Sequence, residues 1–346
     1  MTTNRPDSGK AFPSMYSTSY HGHVDLSNVA VLVTGGAGFI GSNIVEYLLF
    51  HGVGKVRVLD NLSNGHLRNL EPFRDHPAFD FIEGDITNPE QCRQACEGMT
   101  HLSHQAALGS VPRSIKNPVA TSDANTTGFL NILLAARDAG IKRCVYASSS
   151  SVYGDATDSP KREERIGQPL SPYAVSKLTN ELYASVFHLH YGMELVGLRY
   201  FNVFGPNQDP SGPYAAAIPL FLQALNENKP AVIFGDGEQT RDFTFVENTV
   251  QANILALFTT ESSALNQVYN VACGDAVSVN RLYELIALEC GKTPLKNHLP
   301  ERAGDIRHSL ADIGKAKQLL DYRPRYLVDS GLKITVDWFR KTFNHA

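Results

Sequence analysis

The chain has little cysteine, no long hydrophobic run and no excess of charge of one sign. Its five cysteines, Cys92, Cys96, Cys144, Cys273 and Cys290, are odd in number and lack CxxC or Cys/His ligand spacing. That excludes a disulfide framework and a structural metal site, and it predicts free thiols in a reducing, cytoplasmic setting. No apolar stretch approaches the ~18 residues that span a bilayer, so a membrane protein is not expected. The 31 basic and 35 acidic residues are well mixed, with a formal net charge of −4, and nothing resembles the basic stripe of a nucleic-acid binder or a polybasic membrane patch. The partners expected are small molecules or a second copy of the chain. Residues 1–27 are polar and contain no 7–15-residue apolar core, which argues against a secretory signal and for a flexible or partner-packed tail. His21 and His23 have no acidic or thiol neighbours there, so they read as solvated residues, and no metal is expected. Repeats and low-complexity tracts are absent as well.

What the chain does have is enough length, 346 residues, for one large unit or two domains sharing a cleft. From Val29 onward, short apolar blocks alternate with helix-periodic ones: "VAVLVTGG", "GFIGSNIVEYLLFHG", "KVRVLDN", "FDFIEGDI", "HLSHQAA", "TGFLNILLAARDAG", "CVYASSS". Continuously apolar strands between helices predict a parallel sheet covered on both faces, a doubly wound α/β (Rossmann) fold. A helix near residues 126–139 puts Phe129, Ile132, Leu133 and Ala136 on one face. After Arg199 the stretch "FNVFGPNQDPSGPYAAAIP" is rich in Gly, Pro and Asn, as loops lining a cleft would be. The expected division is a tail over 1–27, a dinucleotide-binding domain over 28–199 plus about 241–272, and a smaller mixed α/β substrate domain over 200–240 plus 273–346.

"VLVTGGAGFIG" sets Gly35, Gly38 and Gly41, with Phe39 and Ile40 between, at a strand-to-helix turn. Glycines there let backbone N–H groups approach a pyrophosphate at the helix N-terminus. Asp60 closes the second strand, 19 residues past Gly41, where a carboxylate accepts from an adenosine ribose and repels a 2′-phosphate, which favours NAD over NADP. Asn61, Asn64 and Gly65 fit the same mouth, although "NLSNG" is also an ordinary turn. Asp85-Ile86 fits an adenine contact or a plain strand-end cap equally well. Further on, "SPYAVSK" puts Tyr173 and Lys177 four apart on a predicted helix, 24 residues beyond Ser149 in the run "SSSSVYG". A cation one helical turn from a phenol favours the phenolate and makes a tyrosine usable as a base.

Taken together, "TGGAGFIG", "HQAALGSVPRS", "SSSSVYG", "SPYAVSK" and "LRYFNVFGP" resemble the extended short-chain dehydrogenase/reductase family over about residues 29–340, specifically its nucleotide-sugar 4-epimerases. "HQAALGSVPRS", "GLRYFNVFG" and "GDIRHSLADI" are similar to the subgroup acting on UDP-N-acetylhexosamines. The resemblance implies that Ser149, Tyr173 and Lys177 are catalytic, with Tyr173 the general base. It implies that Gln105, Ala106, Ala107, Asn125 and Tyr200 join the NAD site. Gly109, Ser110, Ser150, Asn202, Arg241, Arg302, Asp305 and Ser309 would meet the UDP-sugar. A serine at 309, where glucose-only relatives have tyrosine, implies room for an N-acetyl group.

The implied activity is reversible C4 epimerisation of UDP-N-acetylglucosamine and UDP-N-acetylgalactosamine, with transient hydride transfer to bound NAD and a 4-keto sugar. Alternatives are 4-epimerisation of UDP-glucose/UDP-galactose or of a UDP-N-acetylhexosaminuronic acid, for which Arg113 would suit the carboxylate. Dehydratase and decarboxylase relatives have an acid after the catalytic hydroxyl, where this chain reads Ser150-Ser151. A non-catalytic NAD-binding regulator would be expected to lack Tyr173 or Lys177. A homodimer through helices around 121–139 and 173–191, and a place in surface polysaccharide synthesis, are also implied by the resemblance.

Overall fold

A parallel sheet covered on both faces buries nearly every strand side chain, so its strands need no polar alternation. In the computed structural model, which describes residues 14–210, 216–301 and 307–343, seven strands form one such sheet: β1 (Ala30–Thr34), β2 (Lys55–Asp60), β3 (Phe79–Glu83), β4 (His101–His104), β5 (Arg143–Ser149), β6 (Glu194–Tyr200) and β7 (Val268–Val271). Their order is 3-2-1-4-5-6-7, all neighbours parallel. Chain direction across the sheet reverses between β1 and β4, which opens a crevice at the carboxyl ends of the strands. This is the doubly wound fold the sequence predicts.

Helices α1 (Phe39–Phe50), α2 (Pro89–Cys96), α3 (Gly128–Asp138), α4 (Pro172–Tyr191) and α5 (Val246–Phe258) cover the sheet. Ile44, Val45 and Leu48 of α1 join Val250, Ile254 and Leu257 of α5 in one apolar cluster. A second cluster collects Cys92 and Ala95 of α2, Phe187 of α4 and the predicted α3 stripe of Phe129, Ile132, Leu133 and Ala136. The α-helix α3 starts later than expected because Asp123–Thr127 winds as a π turn. Three small sheets, Val203–Phe204 with Thr244–Phe245, Thr240–Asp242 with Ala276–Ser278 and His308–Ser309, and Ala231–Phe234 with Lys296–Leu299, build the second lobe around a third cluster. The expected division at about residue 241 gave Arg241 to the dinucleotide half. Its strand is instead paired inside the small lobe, and the chain rejoins the main sheet with α5.

The N-terminal segment is a correction to the flexible or partner-packed tail. Its described part, from Ser14, lies along α1 of the same chain: Tyr16 is fully buried, Tyr20 stacks on Tyr47 with centroids 5.8 Å apart, and His21 bonds the Tyr47 hydroxyl at 2.9 Å. His21 is therefore not a freely solvated residue. Two tyrosines four apart supply an apolar face that the polar average of the segment hides.

Helix α4 is built to hold its first turn still. Ser171 Oγ accepts the Ala174 N–H at 3.1 Å, Pro172 opens the helix, and left-handed Gly192 closes it. Two turns beyond Tyr173, the carboxylate of Glu181 takes both arms of the Arg199 guanidinium from β6, at 2.9 and 2.7 Å, and accepts the Ser148 hydroxyl from β5. Both side chains of the ion pair are almost fully buried. Breaking such a pair strands a charge, so Glu181→Ala is expected to lower the unfolding free energy by about 3–5 kcal/mol. Urea denaturation checks this; a loss below about 1 kcal/mol, the range of surface pairs, would show that the pair does not hold α4 to the sheet.

Candidate active site

The crevice holds a cavity of about 350 Å³ whose wall is assembled from strand ends. Gly35, Gly38, Phe39, Ile40 and Gly41 come from the turn after β1, and Asp60, Asn61, Asn64 and Gly65 follow β2. Asp85 and Ile86 follow β3, Gln105, Ala106, Ala107 and Gly109 follow β4, and Tyr173, Lys177 and Tyr200 close the far end. Two glycines are forced by space. A Cβ on Gly35, whose φ is +69°, would lie 2.6 Å from the Ala106 nitrogen, and one on Gly41 would lie 2.2 Å from the Gly35 oxygen. The turn thus sits flush against its neighbours and offers bare backbone at the start of α1, a fit for a pyrophosphate.

Asp60 is buried and accepts the N–H of Ala37 at 2.9 Å and of Leu62 at 2.8 Å, one on each oxygen. Burial raises its pKa, while those N–H groups pull it back down. Its carboxylate therefore ties the glycine turn to the next loop and keeps lone pairs for a ribose. Asn61 donates to Asp85 Oδ2 at 2.8 Å, and Asp85 caps its own turn through Thr87, so the strand-end cap is at least part of that residue's work. The Tyr200 hydroxyl donates to Gln105 Oε1 at 3.0 Å and accepts from Asn253 at 2.8 Å. Asn125 lies one layer behind the wall: it accepts the Leu108 N–H at 2.7 Å, donates to the Leu108 carbonyl, and meets Ser176. Its π turn brings the neighbouring Ala124 to the cavity wall and turns Asn125 back onto the β4 loop.

At the far end, β5 delivers the serines and α4 the tyrosine and lysine. Ser148 is turned to Glu181, and the Ser149 hydroxyl accepts the Ser151 N–H at 3.1 Å, starting a 3-10 turn over Ser150–Tyr153. The serines of the run therefore do different work: Ser148 anchors, and Ser149 faces Tyr173 through a hydrogen bond. Burial raises the pKa of Tyr173, and the bond to Ser149 lowers it by less. Lys177 is buried, lies 5.9 Å from the Tyr173 ring centroid and donates to the Ala147 carbonyl at 2.8 Å. Below it, buried His104 bonds Thr34 through Nδ1 at 2.8 Å, and burial and the Lys177 charge drive its pKa down to about 3. A neutral imidazole under the lysine adds no competing charge.

A second cavity of about 640 Å³ lies in the small lobe, with mostly apolar walls, and Asn202, Gln208 and Arg241 are among its polar lining residues. Tyr200 faces the first cavity and Asn202, two residues on, faces the second. Arg241 stands in register with Ser309 on the neighbouring strand, and Asn202 donates to the Asp242 carbonyl at 3.0 Å. Gln208 was not predicted: its amide donates to the Val203 carbonyl, while its Oε1 is buried without a partner among the described residues, an acceptor suited to a ligand donor. Gly109, expected beside the sugar, lines the dinucleotide cavity, and Ser110 caps the short helix Val111–Lys116 by accepting the Arg113 N–H. Arg113 reaches Asn64 Oδ1 at 2.7 Å. Arg302 and Asp305 lie outside the described residues. Among those residues, no group of three or more His, Cys, Asp or Glu is arranged to hold a metal, and no helix is long and apolar enough to cross a membrane.

Burial lowers the Lys177 pKa from its ordinary 10.5 to about 8. The folded chain then holds fewer protons than the unfolded one between those values, so this lysine makes stability rise with pH across that window, by of the order of 3 kcal/mol in total. Urea titrations of cofactor-free protein at pH 7.5 and 10 should show this component in wild type and its loss in Lys177→Met. Equal pH dependence of the two would refute the burial of the charge.

The family comparison agrees with this geometry. The sequence model of the NAD dependent epimerase/dehydratase family matches residues 31–272. The structure of UDP-N-acetylglucosamine 4-epimerase from Methanobrevibacter ruminantium, in complex with UDP-N-acetylmuramic acid, is 39% identical and superposes with a TM-score of 0.85 over 91% of this chain and 99% of that one. The UDP-glucose 4-epimerase of Thermus thermophilus, in complex with NAD, is 36% identical with a TM-score of 0.82, covering 91% and 100%. The UDP-glucuronate 4-epimerase of Thermodesulfobacterium geofontis is 34% identical over 318 residues, 90% of this chain and 96% of that one. The chain belongs to the NAD-dependent epimerase/dehydratase family of extended short-chain dehydrogenases/reductases, with NAD as its cofactor.

Proposed function

We propose that this protein is a UDP-sugar 4-epimerase whose substrates are UDP-N-acetylglucosamine and UDP-N-acetylgalactosamine. The observation that carries the reading is the Ser149–Tyr173–Lys177 group, in which the half-buried Tyr173 and the buried Lys177 line the inner end of the dinucleotide cavity and Ser149 bonds Tyr173. Tyr173 takes the proton of the sugar 4-hydroxyl, and Ser149 polarises the same oxygen. Lys177, anchored on the Ala147 carbonyl, favours the phenolate against the burial that opposes it. Bound NAD supplies a reversible hydride acceptor, which makes the oxidation at C4 temporary. Tyr173 then returns its proton to the 4-oxygen once the sugar has presented its other face. Arg241 and Asn202, with Arg302 and Asp305, hold the UDP during that turn, guanidinium groups suiting its phosphates. Asp60 receives the adenosine ribose, and the glycine turn the pyrophosphate.

Two features support the N-acetylated substrate: the small Ser309 beside Arg241, and the similarity to a UDP-N-acetylglucosamine 4-epimerase. The Thermodesulfobacterium relative favours a second reading, a UDP-hexuronic acid, with Arg113 as the carboxylate partner. That reading is weaker because Arg113 is engaged by Asn64 on the cofactor loop. A homodimer suits the exposed apolar stripe Val175, Leu182, Val186 and Leu189 on α4, together with Ile115 and Val119. Five free thiols, three of them buried, suit a reducing cytoplasm.

Proton NMR of the purified protein with UDP-N-acetylglucosamine should show the anomeric signal of UDP-N-acetylgalactosamine. Tyr173→Phe should slow its appearance by about 10²–10⁴-fold, and Ser309→Tyr should suppress the N-acetylated substrate while sparing UDP-glucose. Turnover of only UDP-glucose or UDP-glucuronate by the wild type would overturn the substrate assignment, and no turnover of any of them would overturn the activity.

A further inference from the structure

The segment before β1 lies outside the residues matched by the family model, yet it reaches Asn43 on α1, one turn beyond Phe39 of the cavity wall. It runs along one face of α1, touching Asn43, Glu46, Tyr47 and His51, positions separated by one and two helical turns. At its inner end the buried Tyr16 hydroxyl donates to Asn43 Oδ1 at 2.6 Å. The Asn43 amide nitrogen donates in two directions, to the Phe39 carbonyl at 2.8 Å and to the Pro206 carbonyl at 3.1 Å. Phe39 opens α1 and lines the dinucleotide cavity. Pro206 belongs to the loop that carries Gln208 into the wall of the second cavity.

We propose that the segment Ser14–Asn28 is a cofactor-retaining strap, with Tyr16 as the positioning residue that fixes Asn43 and thereby clamps the first turn of α1 to the loop Gly205–Asp209. The chemistry of the amide requires it. Asn43 spends both of its N–H groups on carbonyls, so its oxygen needs a donor, and Tyr16 is the one it has. Without that hydroxyl the buried oxygen is unsatisfied, and an amide flip would set oxygen against the Phe39 and Pro206 carbonyls. The same loop is tied to the cofactor half twice more, by Asn207 to Ser42 Oγ at 3.1 Å and by Asp209 to His66 at 2.6 Å. His66 directly follows Gly65 of the cavity wall. The strap is thus the outermost member of a set of contacts that closes the small lobe against the turn holding the dinucleotide.

The test is the rate at which purified holoenzyme gives up NAD after dilution, followed by rapid filtration. Tyr16→Phe, which keeps the ring and removes only the hydroxyl, should release NAD about tenfold faster. Its kcat at saturating NAD and substrate should stay within about twofold of wild type. Tyr20→Phe breaks the contact of the same segment with Glu247 on α5, away from the clamp, and should lower thermal stability without speeding release. Adding Tyr16→Phe to Asn43→Ala should have no further effect on release, because the two act as one unit. Unchanged release in folded Tyr16→Phe, or equal acceleration by Tyr20→Phe, would overturn the proposal. Hydrogen exchange of the wild type supplies a readout that needs no variant. By reciprocity NAD must slow exchange over residues 14–28, and identical exchange with and without NAD would also overturn it.

Discussion

The carboxylate of Glu181 is the constraint on which the end of the cavity that holds Tyr173 and Lys177 depends. It sits two turns from Tyr173 and one turn from Lys177 on α4, and it gathers Arg199 from β6 and Ser148 from β5 onto a single group. A helix fixed in this way cannot slide along the sheet without separating a buried ion pair. The distance between a phenol on the helix and a hydroxyl at the strand end is thereby set by charge and hydrogen-bond geometry, more sharply than apolar packing alone would set it. Arg199 also lies 4.9 Å from the ring centroid of Tyr153, whose hydroxyl donates to Asn270 on β7 at 2.6 Å, so the brace extends through three adjacent strands.

The other end of the site is held by a different device. Asp60 uses its two oxygens to join the glycine turn to the following loop, and His66 continues that loop to Asp209 of the small lobe. The cavity at the strand ends and the cavity of the small lobe are therefore neighbours along the chain. A two-residue step from Tyr200 to Asn202 carries the chain from one wall to the other.

Much of this was legible in the sequence because it is local. The apolar runs, the glycine turn, Asp60 at a strand end and the Tyr173/Lys177 pair each declare themselves within a few residues. What stayed hidden depends on pairing across long separations. Glu181 reads as one more polar position on α4 until Arg199 is seen opposite it, and Gln208 becomes notable only when its oxygen is found buried. Asn125, expected at the dinucleotide, lies behind the cavity wall, and the π turn that holds it there is one that no spacing rule announces. The N-terminal segment was misread because its average polarity outweighed two tyrosines whose burial depends on α1. The serine run was half legible: the family resemblance points to Ser149, while the diversion of Ser148 to Glu181 required the fold.

In the proposed reaction Tyr173 and Ser149 handle only the proton on the 4-oxygen, while the hydrogen on C4 leaves and returns without meeting water. The measurement that tests it most directly is the fate of deuterium placed at C4 of UDP-N-acetylglucosamine, followed by NMR and mass spectrometry through conversion to the C4 epimer. The epimer should keep its deuterium at C4 and take up none from solvent in a D₂O experiment with unlabelled substrate. Washout of the label into water, or uptake of solvent deuterium at C4, would contradict it.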